Sequence, residues 1–166
     1  MAISSETFRE LFASFASTVT IVTAYADDAP SGATVTACSS VSAQPPLIMV
    51  ALGRESRTLS QILRAGRFGV NVLADHQEAV ARLFSQSTVN KFSRLDWILD
   101  GDVPCLPDSC GFVAARLSSE LTVGDHVLIV GSIEKVSCTS QTPLLYHRRQ
   151  FARCEQIGVK ANASVA

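Results

Sequence analysis

The stretch Leu121-Thr-Val-Gly124-Asp125-His126-Val-Leu-Ile-Val-Gly131 decides the fold. A strand-like run ends at Gly124-Asp125, and a second apolar run begins just after His126. Gly-Asp between two such runs is typical of a tight β-hairpin turn. The pattern therefore predicts two antiparallel strands, over 112–122 and 126–137. It also leaves one imidazole at the end of a sheet, where a ligand can reach it. The alternative is that His126 is a polar residue that closes a turn.

Along the rest of the chain, strand signals are frequent and helix signals are fewer. Alternating or β-branched runs predict strands over 19–25, 34–42, 47–52 and 68–73. Serine caps predict helices after Ser4 or Ser5 and from Ser56 to Gly66, and a capping box, Asp75-x-x-Glu78, predicts a third. Residues 85–109 are predicted to be mostly loop. Frequent hairpin signals favour an antiparallel barrel or sandwich, flanked by helices, over a parallel sheet. These signals alone do not choose between barrel and sandwich.

Composition bounds the class of protein. The 166 residues suit a single domain, 1–166, with a core over about 8–156 and a disordered tail at 158–166. Hydrophobic residues make up 47% and charged residues 17%, which indicates extensive burial that can include a subunit interface. The net charge of -1 gives no basis for binding nucleic acid or anionic membranes. No apolar run approaches the roughly 18 residues that span a bilayer, and the N-terminus does not read as a secretory signal.

Cysteine usage points to a reducing compartment. The chain has five cysteines and no C-x-x-C pair, and its histidines do not cluster with them. We therefore expect no metal site and no disulfide framework. Reduced thiols are the simplest interpretation, and they favour a cytoplasmic protein.

Two segments hold candidate binding residues. In a strand over 34–42, Thr34 and Thr36 would face one side, and small Ala37 and Cys38 would let a planar ring approach the backbone. The alternative is a strand with one face exposed to solvent. In Arg54-Glu-Ser56-Arg-Thr58, helix amides, hydroxyls and an arginine form a potential phosphate site. There the alternative is an ordinary serine N-cap beside solvated arginines.

Motifs for other chemistry are missing from the sequence. No G-x-G-x-x-G follows a strand, and no G-x-x-x-x-G-K-[ST] loop occurs, so a dinucleotide or phosphate must be held by other donors. The absence of a Ser-His-Asp set and of a paired-carboxylate site weighs against a hydrolase.

Several segments, taken in order, resemble the small flavin reductases that supply reduced flavin to two-component monooxygenases. They include Thr34-Val-Thr-Ala-Cys-Ser-Ser-Val-Ser-Ala-Gln-Pro-Pro46, Arg54-Glu-Ser-Arg-Thr-Leu59, the Gly-Asp-His at 124–126 and Tyr146-His-Arg-Arg149. Lys91-Phe92 and Asp96-Trp97 fit the same family, and the resemblance runs from about residue 8 to 151. It implies an FMN-binding split barrel that forms a homodimer, with flavin near the subunit interface.

The resemblance also implies roles for individual residues. It places the flavin ring against the strand over 34–42 that precedes Pro-Pro, and the flavin phosphate or ribityl chain near the 54–58 turn and the Lys-Phe pair. It places the nicotinamide near His126, as the catalytic candidate, and near the 146–149 segment. The implied cofactor-binding residues are Thr34, Thr36, Ala37, Cys38, Ser39, Arg54, Ser56, Thr58, Lys91, Phe92, His126, Tyr146, Arg148 and Arg149. Taken alone, Lys91 also fits a surface lysine, and the two arginines also fit a solvated strand end.

The implied activity is hydride transfer from NADH or NADPH to FMN or FAD, with reduced flavin released to a separate monooxygenase. Such chemistry asks little of protein acids and bases, because the cofactors supply it. One alternative is a non-catalytic flavin- or haem-binding split barrel, which needs no nicotinamide site. Another is a flavin-bound oxidase acting on a small amine or phosphorylated vitamer, which would need a dedicated substrate pocket.

Overall fold

The computed structural model describes residues 3–87 and 90–155, so the tail expected to be disordered, 158–166, lies outside the described residues. The helices are α1 (Ser5–Ala13), α2 (Arg57–Ala65), α3 (Glu78–Ser85) and a 3-10 turn (Lys91–Arg94). The strands are β1 (Ser17–Thr18), β2 (Thr20–Ala26), β3 (Ala29–Val35), β4 (Cys38–Ala43), β5 (Pro46–Gly53), β6 (Arg67–Val72), β7 (Ile98–Asp100), β8 (Val103–Cys105), β9 (Gly111–Val123), β10 (His126–Cys138), β11 (Leu144–His147) and β12 (Gln150–Arg153).

The main sheet closes on itself. Its seven strands run in the order β3-β2-β6-β9-β10-β5-β4, and every pair is antiparallel. Strands β3 and β4 occupy opposite edges, yet only Thr36 and Ala37 separate them in the chain. The two edges must therefore lie side by side, and β3 contacts β5, the strand that pairs with β4. The sheet is a barrel, which confirms the mainly β, antiparallel prediction.

The hairpin predicted at Gly124-Asp125 is confirmed. Val123 pairs with His126, so the turn has two residues. Gly124 has φ +60° and Asp125 is not in the left-handed region, as a type II′ turn requires. Strands β9 and β10 each run for 13 residues from this turn.

Strand β2 is buried on both faces, and this places the helices. Val22 and Ala24 point into the barrel, where they pack with Ile62 of α2. Ile21, on the opposite face, packs in a second cluster with Phe84 of α3. Because β3 is the neighbour of β2 at the sheet edge, it runs between α2 and α3.

The structure corrects two sequence predictions. The strand expected over 34–42 is two strands, because the chain bends at Thr36 and Ala37 as it passes from one barrel edge to the other. The prediction of a capping box at Asp75 and Glu78 was also wrong. Gln77, not Asp75, precedes α3, and it makes no side-chain cap. Its Oε1 instead accepts from the Ala74 amide at 2.9 Å, which ties the helix entry to the preceding bend.

The remaining elements mostly follow the sequence. Ser4 caps α1, Ser56 caps α2, and Gly66 ends α2 in the left-handed region, all as predicted. The segment expected to be loop contains the 3-10 turn and the short β7–β8 hairpin. Strands β11 and β12 form a further hairpin that pairs with β1. Among the described residues, no helix is long and apolar enough to cross a membrane.

Candidate functional site

A cavity of about 540 Å³ opens between β3, the start of α2, the end of α3 and the 3-10 turn. It is lined by Pro30, Ser31, Gly32, Ala33, Thr34, Glu55, Ser56, Arg57, Thr58, Phe84, Ser85, Gln86, Ser87, Lys91 and Phe92. Five of the residues predicted from sequence thus share one cavity although they come from three separate segments. They are Thr34, Ser56, Thr58, Lys91 and Phe92.

One wall of the cavity is the N-terminus of α2. The Ser56 Oγ accepts from the Leu59 amide at 3.4 Å, and the Ser56 amide donates to the Gly53 carbonyl at 2.9 Å. The amides of Arg57 and Thr58 lie in the first helical turn, where α-helical geometry supplies no acceptor within the helix. Together with the positive end of the helix dipole, they favour an anion at this wall.

Two hydroxyl contacts fix β3 between the helices. The Thr58 side chain is buried, and its Oγ1 lies 2.9 Å from the Ser31 Oγ, which joins α2 to β3. The Thr34 Oγ1 donates to the Ala81 carbonyl at 2.7 Å, which joins β3 to α3. Both threonine hydroxyls therefore have protein partners, and their contribution to the cavity is to hold its walls in place.

Lys91 brings a cation to the opposite wall. Its Nζ donates to the Phe84 carbonyl at 2.7 Å and to the Gly32 carbonyl at 3.2 Å. An ammonium has three hydrogens, so one remains for a ligand. Burial, and secondarily the Arg57 guanidinium, lower the pKa of Lys91 below its usual value. An anion bound between these two cations would relieve that repulsion.

Gly32 is required for this wall to form. A Cβ at this position would lie 2.6 Å from the Cε1 of Phe84 and 3.3 Å from the Cζ of Phe92. The two rings meet edge-on at 5.1 Å, so β3 passes beneath a packed aromatic pair. Only a residue without a side chain lets the strand backbone come this close.

The charge and donors of the cavity fit a flavin phosphate. The α2 amides, Lys91 and the exposed Arg57 surround one region, and charge-assisted bonds to phosphate oxygens are among the stronger contacts in proteins. Glu55 is the one carboxylate in the lining. As an acceptor it suits hydroxyl groups, such as those of a ribityl chain, rather than the phosphate itself.

Residues 36–39 lie outside the cavity lining. They carry the chain from β3 to β4 across the barrel seam, which is the place where these two edge strands of the sheet meet. Thr36, Ala37 and Ser39 are exposed, and Cys38 is half-buried and packs against the barrel core. Burial raises the pKa of the Cys38 thiol to about 11, so the group stays neutral near pH 7. These residues offer small side chains and backbone groups rather than a reactive thiolate.

His126 and Arg54 also lie outside the lining but are connected to it. His126 pairs with Gly53 at the end of β5, and the Arg54 amide donates to the Asp125 carbonyl at 3.0 Å. The hairpin end is thereby attached to the loop that leads into Ser56. The exposed His126 ring has its Nδ1 2.8 Å from the Asp125 Oδ1, and this bond lowers the pKa of Asp125.

The structure does not bring the 146–149 segment to the cavity lining within one chain. Tyr146 is half-buried and packs edge-on against Phe151 at 5.3 Å. Arg148 and Arg149 form the turn of the β11–β12 hairpin, with φ of +48° and +63°, and both are exposed. The Arg148 amide donates to the Ala13 carbonyl at the end of α1.

About two thirds of the lining residues were not predicted from the sequence. Ser31, Gly32 and Ala33 were assigned to a turn or passed over, because the left-handed residues Asp27 and Asp28 make a much shorter turn than expected. Arg57 was not assigned, although it is the arginine of this segment that lines the cavity. Arg57 follows a serine N-cap, and that position in the first helical turn was the available signal.

Comparison with known proteins identifies the family. The model of the flavin reductase like domain matches residues 12–155. The chain belongs to the flavin reductase-like family. It is 35% identical to a flavin reductase (NADPH) of Lentzea aerocolonigenes over 150 residues, which is 87% of this chain and 86% of that protein. It is 33% identical over 159 residues, 95% of its length, to a probable flavin reductase of Rhizobium meliloti.

The chain spans about half, 51%, of the Rhizobium meliloti relative. Among solved structures, nitrilotriacetate monooxygenase component B from Mycobacterium thermoresistibile superposes with a TM-score of 0.87 at 27% identity. That match covers 90% of this chain and 86% of the other. The barrel is therefore the flavin reductase split barrel that the sequence resemblance implied.

Proposed function

We propose that this protein is an NAD(P)H:flavin oxidoreductase. It transfers a hydride from NADH or NADPH to FMN or FAD and releases the reduced flavin to a separate flavin-dependent monooxygenase. The observation that carries the proposal is the phosphate-fitting cavity at the start of α2, in a chain of the flavin reductase-like family. A relative named as an NADPH flavin reductase and a structural neighbour named as a monooxygenase component support the same activity.

In this proposal, the cavity holds the phosphate and ribityl part of the flavin. The Ser56 turn and the first-turn amides of α2 bind the phosphate oxygens, with Lys91 and Arg57 neutralising their charge. Thr58 acts through Ser31 to keep the wall in place. Because these contacts are made to the phosphate and not to the ring, they can bind oxidised and reduced flavin alike and permit release.

The flavin ring extends along β3 toward the barrel seam. Ala33 and Thr34 line the cavity, and the chain then passes through Thr36 and Ala37 to Cys38 and Ser39 on the other edge of the barrel. Small side chains there let a planar ring lie against the backbone, whose amides and carbonyls match the polar edge of the ring. The neutral Cys38 thiol offers a soft contact without competing as a nucleophile.

His126 is the proposed catalytic residue, and it serves the nicotinamide. When bound, a flavin accepts a hydride from the nicotinamide ring, and the protein must hold the two rings in contact. The contact between His126 Nδ1 and Asp125 leaves Nε2 as the ring atom that can meet a ligand. From the hairpin end, Nε2 can orient the carboxamide or a phosphate of the dinucleotide, or donate a proton to the reduced product.

We also propose a homodimer. Helix α1 exposes three large apolar side chains, Phe8, Leu11 and Phe12, and Phe15, just after the helix, extends this apolar surface by stacking on Phe12. A monomer seldom leaves such a face in water, and a two-fold assembly would cover it. The turn at Arg148 and Arg149 adjoins the end of this helix. In a dimer these arginines and Tyr146 could bind the dinucleotide pyrophosphate from the interface. Sedimentation at micromolar concentration tests this, and an active monomer would contradict it.

The location proposed is the cytoplasm. All five cysteines are free thiols in the described residues, as a reducing compartment allows. A non-catalytic flavin-binding barrel would share the phosphate contacts but would have no use for His126 at the hairpin end.

The deciding experiment pairs each nicotinamide with each flavin. The purified protein is mixed with NADH or NADPH and excess FMN or FAD, and nicotinamide oxidation is followed by absorbance. At least one pairing is expected to turn over many times. If the folded protein binds flavin but oxidises no nicotinamide with any pairing, the binding-protein alternative replaces the reductase.

A further inference from the structure

A second cavity, of about 360 Å³, continues from the first. It is lined by Ala29, Pro30, Arg57, Asn90, Lys91, Phe92, Ser93 and Trp97. Four of these residues, Pro30, Arg57, Lys91 and Phe92, line both cavities. The two cavities therefore form one groove, and its two cations, Arg57 and Lys91, lie at the junction where the cavities meet.

The junction determines what can occupy the second cavity. If the flavin phosphate lies between Arg57 and Lys91, an FMN molecule ends there. Only a ligand that continues beyond this phosphate can reach the second cavity. FAD does so, because its second phosphate carries an adenosine. Two cations at one junction also suit a pyrophosphate, which presents more anionic oxygens across a longer span than a single phosphate.

The far wall offers a surface for an adenine. Trp97 is half-buried and is held edge-on against Phe92, with ring centroids 5.5 Å apart. Its ring centroid also lies 6.2 Å from that of Tyr25. A fixed, partly exposed indole gives a base a large aromatic surface at little cost in side-chain entropy. Asn90 and Ser93 add polar groups at the rim of the same cavity.

We propose that this second cavity binds the adenosine half of FAD, so that the protein prefers FAD over FMN. The proposal rests on the proposed flavin site in the first cavity. Lys91 and Arg57 bind the pyrophosphate at the junction, and Trp97 contacts the adenine. Nicotinamide dinucleotides carry the same adenosine diphosphate group, so the experiment must separate the two sources.

The first test uses the unaltered protein. Trp97 is the only tryptophan in the chain, so intrinsic tryptophan emission reports on this cavity alone. ADP, which lacks a flavin ring, is expected to change this emission, and FAD is expected to displace ADP more effectively than FMN. Fluorescence titration should also give a dissociation constant for FAD on the order of tenfold below that for FMN. Equal constants, or no response of Trp97 to ADP, would overturn the proposal.

The second test uses variants. Trp97→Ala should raise the FAD dissociation constant to near that of FMN while leaving FMN binding unchanged, and Trp97→Phe should restore most of the difference. Ile98→Ala, at an exposed neighbouring position outside both cavities, is the matched control. Equal weakening of FMN and FAD would mean that Trp97 acts only through Phe92. A change confined to the nicotinamide KM would assign the cavity to the dinucleotide. Either result contradicts the proposal, whereas failure of wild type to bind any flavin would also refute the proposed function.

Discussion

Replacing Lys91 with methionine tests the phosphate site most sharply. Methionine keeps an unbranched apolar stem beside Phe84 and removes the ammonium. In the free protein, the variant loses charged bonds to two carbonyls, at 2.7 Å to Phe84 and 3.2 Å to Gly32. Leaving partly buried carbonyls without that donor should lower the free energy of unfolding by about 1–3 kcal/mol. The cavity itself should persist, since Phe84 and Phe92 remain packed on each other.

The effect on flavin should depend on the phosphate. Losing one charge-assisted hydrogen bond is worth about 1.5–3 kcal/mol, which corresponds to a roughly ten- to hundredfold weaker FMN affinity. Riboflavin lacks the phosphate, so its affinity should change little. The assay is a fluorescence titration of both flavins against wild type and Lys91→Met, with thermal unfolding to verify folding.

Lys135→Met is the matched control. Lys135 pairs with Asp100 at 2.5 Å at a solvent-exposed position outside both cavities. Its loss should cost at most about 1 kcal/mol in stability and leave both flavins unaffected. If Lys91→Met weakens riboflavin as much as FMN, Lys91 supports the ring or the fold, and the phosphate assignment is refuted.

Three further predictions follow from the same geometry. His126→Ala should raise the nicotinamide KM, lower kcat, or both, with little change in flavin Kd and only modest loss of stability, because Gly124 carries the turn geometry; unchanged nicotinamide kinetics would leave His126 as a turn residue. With its pKa raised to about 11, Cys38 should resist alkylation at pH 8, where about one thiol in a thousand is ionised, while exposed Cys138 and Cys154 are labelled. Because folding raises the pKa of Cys38, the stabilisation from its buried neutral thiol is present below pH 9 and is lost as the pH rises towards 11. Rapid labelling of Cys38 at pH 8 in the folded protein would contradict the raised pKa. Gly32→Ala should destabilise by about 1–3 kcal/mol through its clash with Phe84, measured by denaturant unfolding, whereas Gly53→Ala, with open space around it, should be near neutral.

The local features of the fold were predictable because their causes are local. Gly124-Asp125 and the Ser56 cap act within a few residues, and both formed as the sequence indicated. The break at Thr36 and Ala37 was not predictable, because β-branched and hydroxyl residues continue through it. Its cause is closure of the barrel, which depends on strands far apart in the chain. The turn at Arg148 and Arg149 gave no signal either, since left-handed turns usually hold Gly, Asn or Asp.

The residues of the candidate site likewise fall into those that the sequence indicated and those that only the folded chain brings together. Ser56 and Lys91 were found because each belongs to a segment resembling the family, and the structure places them at one cavity. Arg57 was not assigned although its place after a serine N-cap was a signal, and Trp97 was not assigned because it reaches the groove only through the packing of the folded chain. The short β7–β8 hairpin did leave a signal, Gly101-Asp102, whose positive φ values form its turn. It was hidden in a stretch rich in other loop residues.

We propose above all that this protein reduces flavin catalytically and lets the product diffuse away. The most direct measurement is anaerobic. A small amount of protein is mixed with a large excess of free flavin and NADH or NADPH, and the visible absorption of oxidised flavin is followed. We expect the entire flavin pool to be bleached, many equivalents for each protein molecule. Bleaching that stops at one flavin per protein, or no bleaching at all, would contradict it.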